Sequence, residues 1–158
     1  MAPMIPRLTV SYPTVCHTID RIRQRGESGA EGVMLWLGRR SECDAGVSEA
    51  YEPLYRSKAD QFIVPPAGMS ALMDRICATG HAVVAQVHSH PQRAFHSEAD
   101  ETWALVKHVG AYSIVLPWFG MHTTAEDFWQ QAAVFVMQAN GRWMELSNAD
   151  KDRSCLVL

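Results

Sequence analysis

The 158-residue sequence has no long apolar stretch and no strong excess of charge of one sign. No window reaches the roughly 18 uninterrupted apolar residues that a membrane span needs, and the first residues show no cationic start followed by an apolar signal-peptide run. Lysine and arginine together number 14 against 17 aspartate and glutamate residues, and they form no basic stripe of the kind that binds nucleic acid. The sequence therefore predicts a cytoplasmic protein whose partners are neither membranes nor nucleic acids.

Cysteine is scarce, and its spacing excludes several classes of small protein. The four cysteines are far apart and include no Cys-x-x-C pair, which favours reduced thiols over a disulfide framework or a zinc ribbon. No repeat, low-complexity tract or break in composition marks a linker, so we expect a single domain over residues 1–158. A TIM barrel, which needs about 250 residues, is excluded by the length.

Hydrophobic periodicity predicts two helices and two strands in the first part of the chain. Apolar residues recur at helical spacing over residues 14–25 and again over 67–79, where Gly80 stands at the position of a C-terminal cap. The continuous apolar run between Gly32 and Gly38 is typical of a strand buried on both faces. Residues 81–88 are rich in valine and alanine and predict a further strand.

The rest of the chain completes a mixed pattern. A helix is predicted to start at Ser97 and to run to about His108, and strands are predicted at 111–116, 132–137 and 142–146, the last two joined by an Asn140-Gly141 hairpin turn. Residues 43–64 read as a strand, an irregular excursion and a second strand. We therefore expect a mixed α/β (α+β) domain.

The segment His88-Ser89-His90-Pro91 carries the clearest chemical signal. Side chains i and i+2 of a strand project from the same face, so His88 and His90 can chelate one ion, with Ser89 facing away. Asp100, in the first turn of the next helix, can return to the same point. Two nitrogens and one oxygen leave the fourth tetrahedral position of Zn²⁺ to water, as in catalytic zinc sites.

Hydrolysis at such a site also needs a proton acceptor. Glu31, at the edge of the buried strand, is the first candidate and Glu27 is its rival. A carboxylate beside the metal can accept the proton of the attacking water and return it to a leaving nitrogen. The Ser97 hydroxyl could donate a hydrogen bond to the oxyanion that forms, or it could serve only as a helix cap.

These residues resemble the signature of the JAMM (MPN+) metalloproteases, an upstream Glu followed by His-x-His-Pro and Ser-x-x-Asp. The family's acid lies seven residues before a strand-ending glycine, as Glu31 does before Gly38, and Glu27 does not fit. The resemblance implies a cytidine-deaminase-like MPN fold with a mixed sheet flanked by helices. It also implies that one zinc ion is bound by His88, His90 and Asp100, with Glu31 as general base and Ser97 stabilising the tetrahedral intermediate.

The amino-acid sequences of the buried strand and of residues 95–101 are most similar to those of small bacterial family members found beside E1-like and E2-like proteins. This branch implies an isopeptidase or peptidase that removes a ubiquitin-like modifier or processes its precursor, in antiphage systems of the Bil or CBASS type. The expected partners are the ubiquitin-like protein, its conjugates, and the E1-like and E2-like proteins. Two alternatives stay open: a zinc amidohydrolase for a small molecule or sulfur-carrier conjugate, and a non-catalytic MPN scaffold.

The sequence also gives expectations about the exposure and the substrate contacts of several other residues. The aromatic residues Trp118 and Phe119 lie in a long loop, 117–129, which either holds the extended tail of a modifier or folds back onto the core. Residues 51–62 form either a second recognition surface or an irregular edge. We expect His96 to be exposed and not a ligand, and we expect Trp36 and Trp103 to lie in the core.

Overall fold

A computed structural model describes residues 2–102 and 104–158 of the chain. In these ranges the strands and helices follow in the order β1 (Arg7–Val10), α1 (Tyr12–Glu27), β2 (Val33–Arg40), β3 (Asp44–Tyr51), β4 (Arg56–Ser57), β5 (Phe62–Ile63), α2 (Pro66–Thr79), β6 (Ala82–Ser89), α3 (Glu98–Thr102), β7 (Tyr112–Leu116), α4 (Phe128–Gln131), β8 (Ala133–Met137), β9 (Trp143–Glu145), α5 (Asn148–Ser154) and β10 (Cys155–Val157). No helix in the described part of the chain is both long and apolar enough to cross a membrane. The predicted core residue Trp103 lies outside the described residues.

Among the described residues, eight strands form one mixed sheet in the order β10-β1-β3-β2-β6-β7-β8-β9. Strand β1 is parallel to both β10 and β3, and β6 is parallel to β7. The other neighbours in the sheet are antiparallel. Strands β4 and β5 form a separate small hairpin. This is the mixed α/β (α+β) architecture that the sequence predicts.

Strand β2 is buried on both faces, as its continuous apolar run predicts. Met34 and Trp36 belong to the main core, which also contains the buried face of α1. Val33 and Leu35 point into a second cluster with Leu72 of α2. The strand is therefore covered by a helix on each side of the sheet, and Trp36 is a core residue with no exposed surface.

Two helix boundaries follow directly from local sequence. The side chain of Ser11 accepts a hydrogen bond from the backbone N–H of Thr14 at the start of α1, and Pro13 occupies the first turn, where its missing N–H costs nothing. Helix α2 ends at Gly80, which adopts a left-handed conformation with φ of 70°. Glycine enters this region without the steric cost of a Cβ atom.

The helix predicted from Ser97 to about His108 is wrong in its length. Helix α3 has five residues, Glu98–Thr102, and residues 104–108 are not helical. The backbone N–H of Leu105 donates to the Gln86 side chain, and Val106 packs in a small cluster with Ala111 and Met137. Burial of this segment against the sheet outweighs its helical periodicity.

The structure bears on the two segments whose interpretation the sequence left open, residues 51–62 and 117–129. Residues 51–62 include most of the β4–β5 hairpin, which is joined to the segment before β2 because the N–H of Glu31 donates to the carbonyl of Lys58 over 2.7 Å. In the 117–129 segment, Phe128 is fully buried and stacks on Trp36 with ring centroids 5.8 Å apart. The end of that segment therefore folds back onto the core, whereas Trp118, in a short 3₁₀ turn, is 48% exposed.

Candidate metal centre

The structure brings together the three predicted metal ligands. His88 lies near the end of β6, His90 follows that strand, and Asp100 lies in α3. One ligand atom from each of the three lies within 4.8 Å of the others. The Nε2 atom of His90 is 3.0 Å from Oδ2 of Asp100, and Nε2 of His88 is 3.3 Å from Oδ1. A single small cation can therefore contact all three side chains.

Backbone pairing of β6 explains why the two imidazoles share a face. His88 is paired in register with Val33 of β2 and Val115 of β7, so the strand is fixed on both sides. The intervening Ser89 points the other way, and its Oγ accepts a hydrogen bond from the N–H of Gly32 over 2.9 Å. Ser89 is thus structural, as the alternation of side chains predicts.

Ser97 and Asp100 bind each other reciprocally at the start of α3. The Ser97 Oγ accepts from the N–H of Asp100 over 3.0 Å, and the N–H of Ser97 donates to Oδ2 of Asp100 over 2.8 Å. This is the pattern of a capping box, and it orients the Asp100 carboxylate. Burial opposes the ionisation of Asp100, but its contacts with His88 and His90 outweigh that effect and hold its pKa below the usual range.

Glu31 is the acid that reaches the cluster. Its side chain is 1% exposed, and Oε1 lies 3.8 Å from Nε2 of His90. Burial, together with the nearby charges of Asp100 and Asp60, raises the pKa of Glu31 to about 8. Its rival Glu27 is exposed at the end of α1. Of the two candidate bases, only Glu31 lies at the site.

The donor set fits a bound cation. Among the described residues, neither oxygen of the Glu31 carboxylate makes a hydrogen bond, nor does Nδ1 of His88, although all three atoms are buried. A buried polar atom without a partner costs about 1–3 kcal/mol, and a cation at this point would offset that cost. Two imidazoles and one carboxylate are ligands that Zn²⁺ accepts, and a cation would also lower the pKa of Glu31.

A cavity of about 530 Å³ opens beside the cluster. Glu31 and Asp100 form part of its wall, and the remaining wall comes from the β4–β5 hairpin, β6, α3 and the segment after α3. These further lining residues are Asp60, Gln61, Phe62, Ile63, Val64, Gln86, Ala99 and Leu105. The second strand predicted within residues 43–64 forms part of this wall. Nothing in the sequence indicated that this strand would lie beside the metal ligands.

The predicted substrate-binding pair Trp118 and Phe119 does not line this cavity. Both residues have φ of 55°, a conformation that side chains other than glycine adopt at a cost. The N–H of Phe119 donates to the carbonyl of His90 over 2.8 Å, and the N–H of Trp118 donates to that of Gln92. The turn therefore supports the backbone of a candidate ligand, and its contact with substrate stays a prediction.

His96 is buried, so the expectation that it is exposed is wrong. Its side chain is 3% exposed, stacks on Phe135 with ring centroids 4.4 Å apart, and contacts Ser113. Burial lowers the pKa of His96 to about 4. The error arose because the residue before a helix cap is usually solvated, whereas here the segment crosses over β7 and β8. His96 is not part of the ligand cluster, as expected.

Comparison with known proteins identifies the fold and the family. The fold is an α+β, MPN-like fold, and it is shared with protein DSY2949 from Desulfitobacterium hafniense, whose solution structure superposes with a TM-score of 0.66 at 18% identity, covering 89% of this chain and 90% of that one. The protein named "Probable metalloprotease y4jG" from Sinorhizobium fredii strain NGR234 is 31% identical over 147 residues, covering 89% of each chain. The chain therefore belongs to the same metalloprotease family. No family model matches the sequence.

Proposed function

We propose that this metalloprotease is a zinc-dependent isopeptidase or peptidase of the JAMM (MPN+) type. Its substrate is a ubiquitin-like modifier attached to a target or present as a precursor, and its setting is a bacterial antiphage system with E1-like and E2-like proteins in the cytoplasm. The observation that supports a hydrolytic site is the buried carboxylate of Glu31, 3.8 Å from His90 and next to the cluster of His88, His90 and Asp100.

His88, His90 and Asp100 would hold the metal. When bound, zinc supplies a Lewis acid that polarises the scissile carbonyl and lowers the pKa of water. Glu31 accepts the proton of the water that attacks the carbonyl carbon, and then delivers it to the leaving nitrogen. The side chain of Glu31 is 1% exposed and lies in the cavity wall, so the carboxylate faces the space in which water and substrate would meet.

The proposed role of Ser97 is to stabilise the oxyanion. Its Oγ accepts a hydrogen bond from the Asp100 N–H, which leaves the hydroxyl hydrogen to donate elsewhere. In this proposal the hydroxyl caps the helix through its oxygen and donates to the oxyanion through its hydrogen. A single oxyanion donor contributes about 10²-fold to 10³-fold in kcat in comparable enzymes.

The substrate chain is proposed to run along the β4–β5 hairpin. Ile63 is 62% exposed and Phe62 lies 5.7 Å from the ring of His88, so an extended tail at the hairpin would reach the candidate metal. An extended peptide can bind a strand edge through backbone hydrogen bonds. Trp118 and Phe119 remain a second proposed contact for the tail.

One experiment tests the proposed function directly. Metal content is measured on the purified protein and on His88→Ala, and cleavage of a ubiquitin-like fusion is measured for the wild type and Glu31→Gln. We expect about one zinc ion per chain, lost in His88→Ala, and cleavage lost in Glu31→Gln with zinc retained. A protein without metal would overturn the enzymatic proposal. Zinc without cleavage of any amide would favour the scaffold.

A second candidate function is a zinc amidohydrolase for a small molecule or a sulfur-carrier conjugate. The cavity of about 530 Å³ favours it, since small-molecule sites have volumes of about 300–1,000 Å³. Cleavage of a fluorogenic amide that carries no modifier tail, at a rate equal to that of the fusion, would select this candidate.

A further inference from the structure

Helix α3 carries the only carboxylate of the candidate ligand cluster, yet it has five residues. A helix this short has no stability of its own in water. It must nevertheless hold Asp100 within about 3 Å of an imidazole nitrogen, as observed for His90 at 3.0 Å. The position of Asp100 must therefore be fixed by contacts outside the helix.

Both ends of the α3 segment are attached to the same pair of strands. Before the helix, Nε2 of His96 lies 3.0 Å from Oγ of Ser113 on β7. After the helix, the N–H of Leu105 donates to Oε1 of Gln86 on β6 over 2.8 Å. Gln86 and Ser113 are paired in register, and Nε2 of Gln86 donates to Oγ of Ser113 over 3.1 Å.

These bonds form one continuous chain, Leu105 to Gln86 to Ser113 to His96, which we call the polar clasp. Both central side chains are at most 1% exposed, so breaking one of these bonds would leave a buried polar group without a partner. The Ser113 Oγ accepts from Gln86 and also forms a hydrogen bond with Nε2 of His96. A serine hydroxyl can make both bonds because it offers one donor and two acceptor sites.

The ring of His96 is also held by aromatic packing. It stacks on Phe135 with centroids 4.4 Å apart and meets Trp143 edge-on at 5.3 Å. The ring centroid of His88 is 6.5 Å away, and His96 is outside the group of donor atoms that can share one metal. His96 is therefore placed to act through Asp100 and not on the metal itself.

We infer that the polar clasp of Gln86, Ser113 and His96 positions Asp100 for metal binding. Gln86 lies two residues before His88 on the same face of β6, so the clasp joins the segment that supplies the carboxylate to the strand that supplies the imidazoles. These three are positioning residues, and the inference rests on the proposed metal centre. Residues that orient metal ligands typically contribute 10-fold to 100-fold in metal affinity.

The test measures zinc affinity by competition with a chromophoric chelator. His96→Phe preserves an aromatic ring and removes the hydrogen bond of Nε2, and Ser113→Ala removes the hydroxyl. We expect each to raise the Kd for zinc 10-fold to 100-fold. The Kd of the double variant should be no more than about twofold above the higher of the two single-variant values, because both substitutions break the same chain of bonds. Gln86→Met breaks the same chain of bonds at a different residue, and it replaces either variant if that variant fails to fold.

A matched control comes from the other side of the sheet. The Trp36 Nε1–H donates to Oγ1 of Thr18 over 2.9 Å in a buried side-chain pair far along the chain from the ligands. Thr18→Val removes that bond and should lower the Tm while leaving the Kd for zinc unchanged. Unchanged zinc affinity in the clasp variants, or losses that multiply in the double variant, would overturn the inference.

The outcomes separate this inference from the proposed function. A wild-type protein that binds zinc but cleaves no ubiquitin-like fusion contradicts the proposed substrate, whereas the clasp is still decided by the Kd values. A wild-type protein that binds no zinc overturns both.

Discussion

The carboxylate of Glu31 lies 3.8 Å from Nε2 of His90, and neither of its oxygens accepts a hydrogen bond from a described residue. Natural proteins rarely leave a buried carboxylate unpartnered unless it has a functional role. We expect Glu31→Gln to retain zinc and to lower kcat by about 10²-fold to 10⁴-fold, the range of general-base catalysis. Metal analysis and single-turnover cleavage of the same preparation measure both effects. Retained activity would show that another group accepts the proton.

Metal removal should act on stability as well as on activity. The three candidate ligands are at most 8% exposed in their side chains, so an ion bound there contacts only the folded chain. A ligand of the folded state stabilises it by about 2.7 kcal/mol at 100 times its Kd. We expect chelation to abolish cleavage and to lower the Tm, with both restored by added zinc. A Tm that does not change on chelation would contradict binding at this site.

Thiol alkylation should leave cleavage intact. Cys43 and Cys77 are exposed and Cys16 is half-buried, but no cysteine belongs to the ligand cluster. Burial raises the pKa of Cys155 to about 12, so its thiol is protonated and unreactive. The measurement is cleavage before and after iodoacetamide, with incorporation followed by mass spectrometry. Inactivation that parallels alkylation would contradict the proposed mechanism.

The hairpin wall of the cavity should determine substrate affinity. Ile63 lines the cavity and is 62% exposed, so Ile63→Ser changes a binding surface with little effect on the core. We expect an increase in KM of about 10-fold, as for loss of a few methylene contacts, with kcat maintained. Leu54, which is 60% exposed and does not line the cavity, provides the control Leu54→Ser. Equal effects in both variants would argue against a specific contact.

Gly26 should be intolerant of alanine because of the turn that supports His90. A Cβ at Gly26 would lie 2.5 Å from Cβ of Phe119 and 3.1 Å from its carbonyl oxygen. Alanine gains about 1 kcal/mol in helix propensity, but overpacking against backbone costs about 1–3 kcal/mol. We expect Gly26→Ala to lower the Tm and zinc affinity. Gly46→Ala, whose Cβ meets no atom within 4 Å, should change neither.

The Trp118 side chain separates the two interpretations of its segment. It is 48% exposed, so Trp118→Ala should leave the Tm within about 1 °C of the wild type. If the side chain holds the tail of a modifier, KM for a modifier fusion rises and KM for a short fluorogenic amide does not. An unchanged KM for both would assign the segment to the support of the His90 backbone alone.

The sequence predicted the local parts of the site and missed the parts that depend on distant strands. The His88–His90 pair follows from the alternation of a strand, and the Ser97–Asp100 pair follows from helix capping. In contrast, the burial of His96 depends on Phe135 and Trp143, far along the chain. No local pattern encodes that contact, so the usual exposure of a residue before a helix cap gave the wrong expectation.

The same distinction explains the errors in the fold. Helix α3 ends early because Leu105 bonds to Gln86, a side chain from the preceding strand. Strands β1 and β10 were not predicted, since they pair with each other from opposite ends of the chain in parallel register. Helix α5 had a visible signal, because Ser147 and Asp150 form a capping box, but the short helix has little periodicity.

The three candidate ligands lie within residues 88–100, whereas Glu31 reaches them only after β2 has paired with β6. Closing the ligand segment costs little loop entropy, and bringing Glu31 to it requires a long loop to close. We therefore expect the ligand geometry to form when β6, α3 and β7 come together, and the site to be complete only when β2 brings Glu31 to it. The general base would then be the last part of the site to arrive, so that a newly made chain has no hydrolytic activity until its central strands have joined.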